Sequence, residues 1–259
     1  MTGRRLRYRI VGRGRPRLVL LHGLFGSHRT WREVWPLFVE RGHACVLVDL
    51  RGHGDSPKPS CGYAPRDYAS DVARLIKSLG LDRPVVVGYS MGGRVGYTLA
   101  AGHTPPLGGL VIGDIGMEAR PNSWRDVESL VERLPRRFRD AARAEAFLSS
   151  GLTPDEADYF RLCLSEGRRP KWLFSAKAVV ETVRLGRARD WIGLAPKIPC
   201  PVLLVRGQNS TELSRGEVRR MMGGFKQGTF AEIAGVGHEL HLERPELFVK
   251  TVASWLNGV

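Results

Sequence analysis

The sequence predicts an α/β fold, a mostly parallel sheet flanked by helices, and three observations carry that prediction. Short continuous apolar runs recur along the chain: "RLVLLHG", "ACVLVDL", "RPVVVGYS", "LGGLVIGDIG" and "PVLLV". Runs of this length and β-branched content suit strands buried on both faces, the condition of a parallel sheet covered by helices. Amphipathic segments lie between them, so strand and helix alternate. At 259 residues the chain is long enough to bury a substantial core without disulfide or metal staples.

The elements follow in order. "LRYRIVG" alternates Arg5, Arg7 and Arg9 with Leu6, Tyr8 and Ile10, a period of two expected to bury one face and solvate a row of arginines, as on a protected edge strand. A Gly-Arg-Gly-Arg-Pro turn leads into "RLVLLHG". "TWREVWPLFVERG" has helical spacing through Trp31, Val34, Trp35 and Phe38 and ends at Gly42. The strand "ACVLVDL" precedes an amphipathic helix, "PRDYASDVARLIKSLGL", with Tyr68, Val72, Leu75, Ile76 and Leu79 on one face. The strand "RPVVVGYS", the helix "MGGRVGYTLAAGH" and the strand "LGGLVIGDIG" come next.

After that the strands stop. Residues 116–199 are read as a helical insertion, and residues 1–115 and 200–259 as the core. Thr153-Pro154-Asp155-Glu156 is a helix start with Thr as cap, Pro at the first helical position and Glu at the third. Ser123 to Leu134 and "KWLFSAKAVVETVRLG" also have helical spacing. "IPCP" returns the chain to the strands "PVLLV" and "TFAEI", and the helix "RPELFVKTVASWL" completes the core.

Composition excludes several classes. Seven arginines and no acid fall in the first 17 residues, half of the net charge of +14. No aromatic-interleaved basic patch or nucleic-acid motif accompanies them, so no nucleic-acid partner is expected. No apolar run approaches the ~18 residues of a membrane span, and no apolar signal core follows the basic start. Four scattered cysteines without C-x-x-C spacing give no metal or redox site and suit a cytoplasmic location. No cofactor is expected, and the oligomeric state is open.

The chemistry centres on "VVVGYSMGGR". Gly88-Tyr89-Ser90-Met91-Gly92 stands between a strand and a helix, the setting a G-x-S-x-G nucleophile elbow requires. Gly88 and Gly92 permit the close chain approach of that turn, which lifts Ser90 to the positive end of the following helix. Of seven histidines, His238 in "IAGVGHELHLERPE" follows the last strand and is the expected base, with His241 as its rival. His22 and His53 sit in motifs of their own, and His28, His43 and His103 are expected at the surface.

Together with "LLHGLFGS" and "DLRGHGDSPKP", these residues resemble the α/β-hydrolase family across nearly the whole chain. The resemblance implies an eight-stranded sheet with a helical cap inserted after strand six. It also implies an oxyanion hole from the amides of Met91 and Leu24, with Phe25 as the alternative to Leu24. "GYSMGGR" is similar as well to the nucleophile region of the SHCHC synthases, which carry an arginine at the Arg94 position.

In most of that family the triad acid follows the seventh strand, where this chain has "GQNSTELS" and no aspartate. Asn209 could orient an imidazole without stabilising its charged form. Glu212 is slightly late but long enough to reach. Asp114 ends the preceding strand, at the edge where ligand-binding residues of open α/β sheets gather, and is preferred. Phe25, Tyr89, Arg94, Met117 and Trp172 are expected to wall a pocket for a small-molecule substrate. The expected activity is hydrolysis of a carboxylic ester, thioester or lactone through a Ser-His-acid triad. A lyase or C–C bond hydrolase, or a non-catalytic ligand-binding protein, is the alternative.

Overall fold

The apolar runs form one sheet because each offers side chains to both of its faces. In this computed structural model, which describes residues 5–102 and 104–259, seven strands pair in the order β1-β3-β2-β4-β5-β6-β7. They are β1 (Arg7–Val11), β2 (Leu18–Leu21), β3 (Cys45–Asp49), β4 (Val85–Tyr89), β5 (Gly109–Gly113), β6 (Val202–Gly207) and β7 (Gly228–Ile233). β1 is antiparallel to β3, and every other pairing is parallel. Met1–Arg4 and His103 lie outside the described residues, and with them part of the basic start and one expected surface histidine.

The period of two along the strands divides the core. Val19, Val46, Val86, Leu110 and Leu204 pack with α2 (Pro65–Ser78), α3 (Met91–Ala101) and α8 (Arg215–Gly224). Their neighbours Leu18, Leu47, Val87, Val111 and Leu203 pack on the other side with Trp31, Phe38 of α1 (Trp35–Glu40), and Phe248 and Val252 of α10 (Pro245–Leu256). Between β5 and β6 come α4 (Trp124–Arg133), α5 (Ala141–Gly151), α6 (Pro154–Leu162) and α7 (Ala176–Gly186). Their apolar faces form a third cluster around Phe138, Leu148, Phe160 and Phe174, joined by Phe25 from the loop after β2. A short α9 (Leu240–Glu243) precedes α10.

Three expectations change. The described residues hold seven strands, not eight. The sequence itself offers seven strand-like runs; the eighth came only with the family resemblance, and the helices follow the fifth strand of this chain. β1 is the edge strand expected, but it has no buried face: Tyr8 is 41% and Ile10 50% exposed, while Leu6 alone is buried. The helix expected from Thr30 to Gly42 splits into a 3-10 turn at His28–Trp31 and α1. Pro36, which has no amide hydrogen to donate, belongs in a first helical turn and so fixes where α1 starts.

Candidate active site

Ser90 joins β4 to α3 with φ +49°, a conformation unfavourable for any residue with a Cβ. The surrounding close packing enforces it. A Cβ on Gly88 would lie 2.3 Å from the Gly92 oxygen, and one on Gly92 would lie 2.2 Å from the Leu21 oxygen. The Ser90 amide donates to the Gly113 carbonyl at 2.7 Å, which ties the turn to the end of β5. Met91 begins α3, whose first amides have no partner within the helix.

Asp114 directly follows β5, again at positive φ (+48°) and fully buried. His238, on the loop after β7, spans the two: Nδ1 donates to Asp114 Oδ2 at 2.7 Å, and Nε2 accepts from Ser90 Oγ at 3.1 Å. Burial lowers the His238 pKa. The hydrogen bond and charge of Asp114, with the charges of Glu239 and Glu212, outweigh burial and hold it above the usual histidine value.

The loop after β6, where no aspartate stands, surrounds this carboxylate. Gly207 N–H donates to Asp114 Oδ1 at 3.0 Å and the Ser210 hydroxyl donates to Oδ2. Arg206 holds the loop in shape. Its buried guanidinium donates to the carbonyls of Leu213 (2.6 Å), Gln208 (2.9 Å) and Ser210 (3.0 Å) and pairs with Glu232. Asn209 bonds through its amide to the Val236 carbonyl. Glu212 bonds to Arg187 and Arg120 rather than to His238; burial raises its pKa, but those arginines and His238 bring it below the usual range.

The other histidines have different partners. His22 Nε2 accepts from the Leu50 amide, and burial pushes its pKa down to about 4. His28 is buried, not superficial as expected: its ring and amide both donate to Asp49. Burial alone would raise the Asp49 pKa, but these bonds and the Asp55 amide bring it to about 2. His241 is buried at the back of Tyr89, with ring centroids 4.1 Å apart, and burial drives its pKa to about 3. Tyr89 also packs on His238 at 5.1 Å.

A cavity of about 510 Å³ opens over Ser90 and His238. Phe25, Tyr89 and Arg94, expected as walls, line it, and so do Leu24 and Met91. Met117 and Trp172 do not. Met117 is buried in the sheet-side core, and Trp172 packs on Phe174 and donates to the Pro135 carbonyl within the insertion's own cluster. Val127, Leu130, Tyr159, Phe160 and Val183 of the insertion form the opposite wall. Tyr159 also donates to the Leu24 carbonyl, which fixes the loop after β2.

Sequence reasoning misses Ser210, Arg120 and Arg187, whose partners lie far away in the chain. Arg206 does carry a signal: it is the one charge in the otherwise apolar run "PVLLVRG".

Among the described residues no helix is long and apolar enough to cross a membrane. The chain is 27% identical over 248 residues to a 2-(acetamidomethylene)succinate hydrolase of Mesorhizobium japonicum, covering 94% of this chain and 88% of that one. It is 26% identical to a putative 2-succinyl-6-hydroxy-2,4-cyclohexadiene-1-carboxylate synthase of Bacillus subtilis, over 93% of this chain and 90% of that one. A solved structure of E-2-(acetamidomethylene)succinate hydrolase superposes with a TM-score of 0.84 at 26% identity, covering 97% of this chain and 95% of the other. Residues 18–251 match the model of the alpha/beta hydrolase family, and the chain therefore belongs to that family of enzymes.

Proposed function

We propose that this protein hydrolyses a carboxylic ester, thioester or lactone of a small to medium acyl substrate, with Ser90 as nucleophile, His238 as base and Asp114 as triad acid. One observation carries the reading: the unbroken hydrogen-bond chain Ser90–His238–Asp114 at a cavity that Ser90 and His238 line.

In this reading His238 Nε2 takes the Ser90 proton as Oγ bonds to the substrate carbonyl carbon. The amides of Met91 and Leu24 receive the oxyanion; one such donor is worth about 3 kcal/mol at comparable sites. The carbonyl–leaving-group bond then breaks and His238 gives the proton to the departing oxygen or sulfur. Water adds to the acyl-enzyme, His238 takes its proton, and the acid product leaves as the proton returns to Ser90. Asp114 stays ionised throughout and holds the imidazole in one tautomer. Residues 116–199 act as a cap that keeps bulk water from the acyl-enzyme, and the absence of paired cysteine motifs suits work in a reducing cytoplasm.

Fluorophosphonate labelling tests this directly: the probe should modify wild type and leave Ser90→Ala untouched. Failure to label wild type removes the proposal. The likeness to a synthase of the family supports a second reading, in which Ser90 and His238 relay a proton in an elimination or C–C cleavage. Turnover in H₂¹⁸O separates hydrolysis from elimination, because elimination carries no label into the product, and the structures of the products show whether a C–O, C–S or C–C bond has broken.

A further inference from the structure

The cavity over Ser90 contains a charge imbalance that the triad does not use. Arg94, Arg120, Arg187 and Glu212 all line it, and Glu217 adjoins them. Arg120 pairs with Glu212 and Glu217, and Arg187 pairs with Glu212. Glu118, which also adjoins them, pairs with Arg220, so the set holds four guanidiniums and three carboxylates. The surplus charge falls on Arg94, which is 5% exposed. Among the described residues Arg94 has no carboxylate at ion-pair distance, and its guanidinium donates only to the Tyr97 hydroxyl, at 3.3 Å.

A buried cation without a counter-charge is costly to a fold, so its persistence needs a reason. Packing adds one. A Cβ on Gly186 of α7 would lie 2.7 Å from Arg94 Nη1, so the insertion leaves that space to the guanidinium. Arg94 also lies one turn beyond the nucleophile, its amide bonded to the Ser90 carbonyl at 3.1 Å, and residues four apart share a helix face. The remaining acids on the cavity do not neutralise it. Asp126 and Glu156 are exposed at the rim, and Glu156 is engaged with Thr153. Glu239 stands beside His238, and its charge acts on that imidazole.

We propose that Arg94 forms an anion subsite and that the natural substrate carries a second carboxylate a few bonds from the scissile carbonyl, as in a half-ester of a short dicarboxylic acid. One helical turn advances ~5 Å, which matches a chain of a few carbons between the two groups. The proposal rests on the serine-hydrolase reading of the same cavity.

The test compares monomethyl glutarate with methyl 4-carbamoylbutanoate, its uncharged isostere. Wild type should favour the acid by ~10- to 100-fold in kcat/KM, the range of one charged hydrogen bond. Arg94→Gln should bring that ratio close to one, mainly through KM, and Arg94→Lys should restore part of it. Equal rates in wild type, or a preference that survives in Arg94→Gln, overturns the subsite. A measurement on wild type alone guards against a variant that does not fold: glutarate should protect Ser90 from the fluorophosphonate and glutaramide should not. If the probe fails to label wild type, the hydrolase reading has failed on its own. Calorimetric titration with glutarate then decides the subsite without turnover, and an absence of binding overturns it.

Discussion

Ser210 donates its hydroxyl to Asp114 Oδ2, the same carboxylate oxygen that accepts from His238 Nδ1. The loop that carries no aspartate of its own thus serves the aspartate that follows the neighbouring strand. Replacing Ser210 by Ala removes one of the three bonds to that carboxylate and leaves the others. A bond to a buried charge is worth ~1.5–3 kcal/mol, part of it felt in the transition state. Ser210→Ala should therefore lower kcat about tenfold and also lower the melting temperature. Unchanged values for both would show that the bond is idle.

The two carboxylates near His238 can be separated by paired variants. Asp114→Asn should cost about 10⁴ in kcat, as exchange of a triad aspartate does elsewhere. Glu212→Gln leaves the proposed triad intact and disturbs Arg120 and Arg187, so its effect should be far smaller and fall mostly on KM. A severe Glu212→Gln beside a near-silent Asp114→Asn would reverse the assignment.

The elevated pKa of His238 gives a pH prediction. In the proposed mechanism His238 must be neutral to accept the Ser90 proton, so kcat/KM should fall as the imidazole protonates. With burial outweighed by Asp114 and its acidic neighbours, the midpoint of the acid limb should lie above 6.5. In Asp114→Asn the raising contributions shrink while burial remains, and the midpoint should move down. A wild-type midpoint well below 6.5 would contradict this electrostatic account.

Asp49 should matter to stability. Its pKa falls from 3.8 to about 2 in the fold, despite burial, because of the bonds from His28 and the Asp55 amide. A carboxyl depressed in this way stabilises the fold at pH values above its unfolded pKa, by ~2 kcal/mol for a shift of this size. That contribution fades as pH falls from about 4 toward 2. Urea unfolding of Asp49→Asn should show a loss of this order at pH 7 and a narrowing gap to wild type toward pH 3. A gap independent of pH would point to shape rather than charge.

Ser90 and Asp114 can be picked out in the sequence because each follows an apolar run, and His238 because it stands on a glycine-rich loop after the last strand; strand ends converge on one edge of a parallel sheet. The pocket wall is less legible. Helical spacing identifies Trp172 as a residue that packs, but not whether it faces the sheet or its own helices; it faces Phe174. Likewise Tyr8 and Ile10 alternate as a buried face would, yet both stay exposed on β1. Arg120 and Arg187 lie 92 and 25 residues from Glu212, a separation no local pattern encodes.

Three of the four described non-glycine residues at positive φ are Phe25, Ser90 and Asp114, all at one edge of the sheet. Such conformations cost on the order of 1–3 kcal/mol each and persist only where the surroundings enforce them. The fold therefore keeps an untapped reserve of heat resistance in its working parts. Ser90→Gly should melt higher than wild type while losing turnover. Selection for thermal endurance alone would then erode these positions first, and a hardier but inert protein is the outcome to guard against when this chain is engineered.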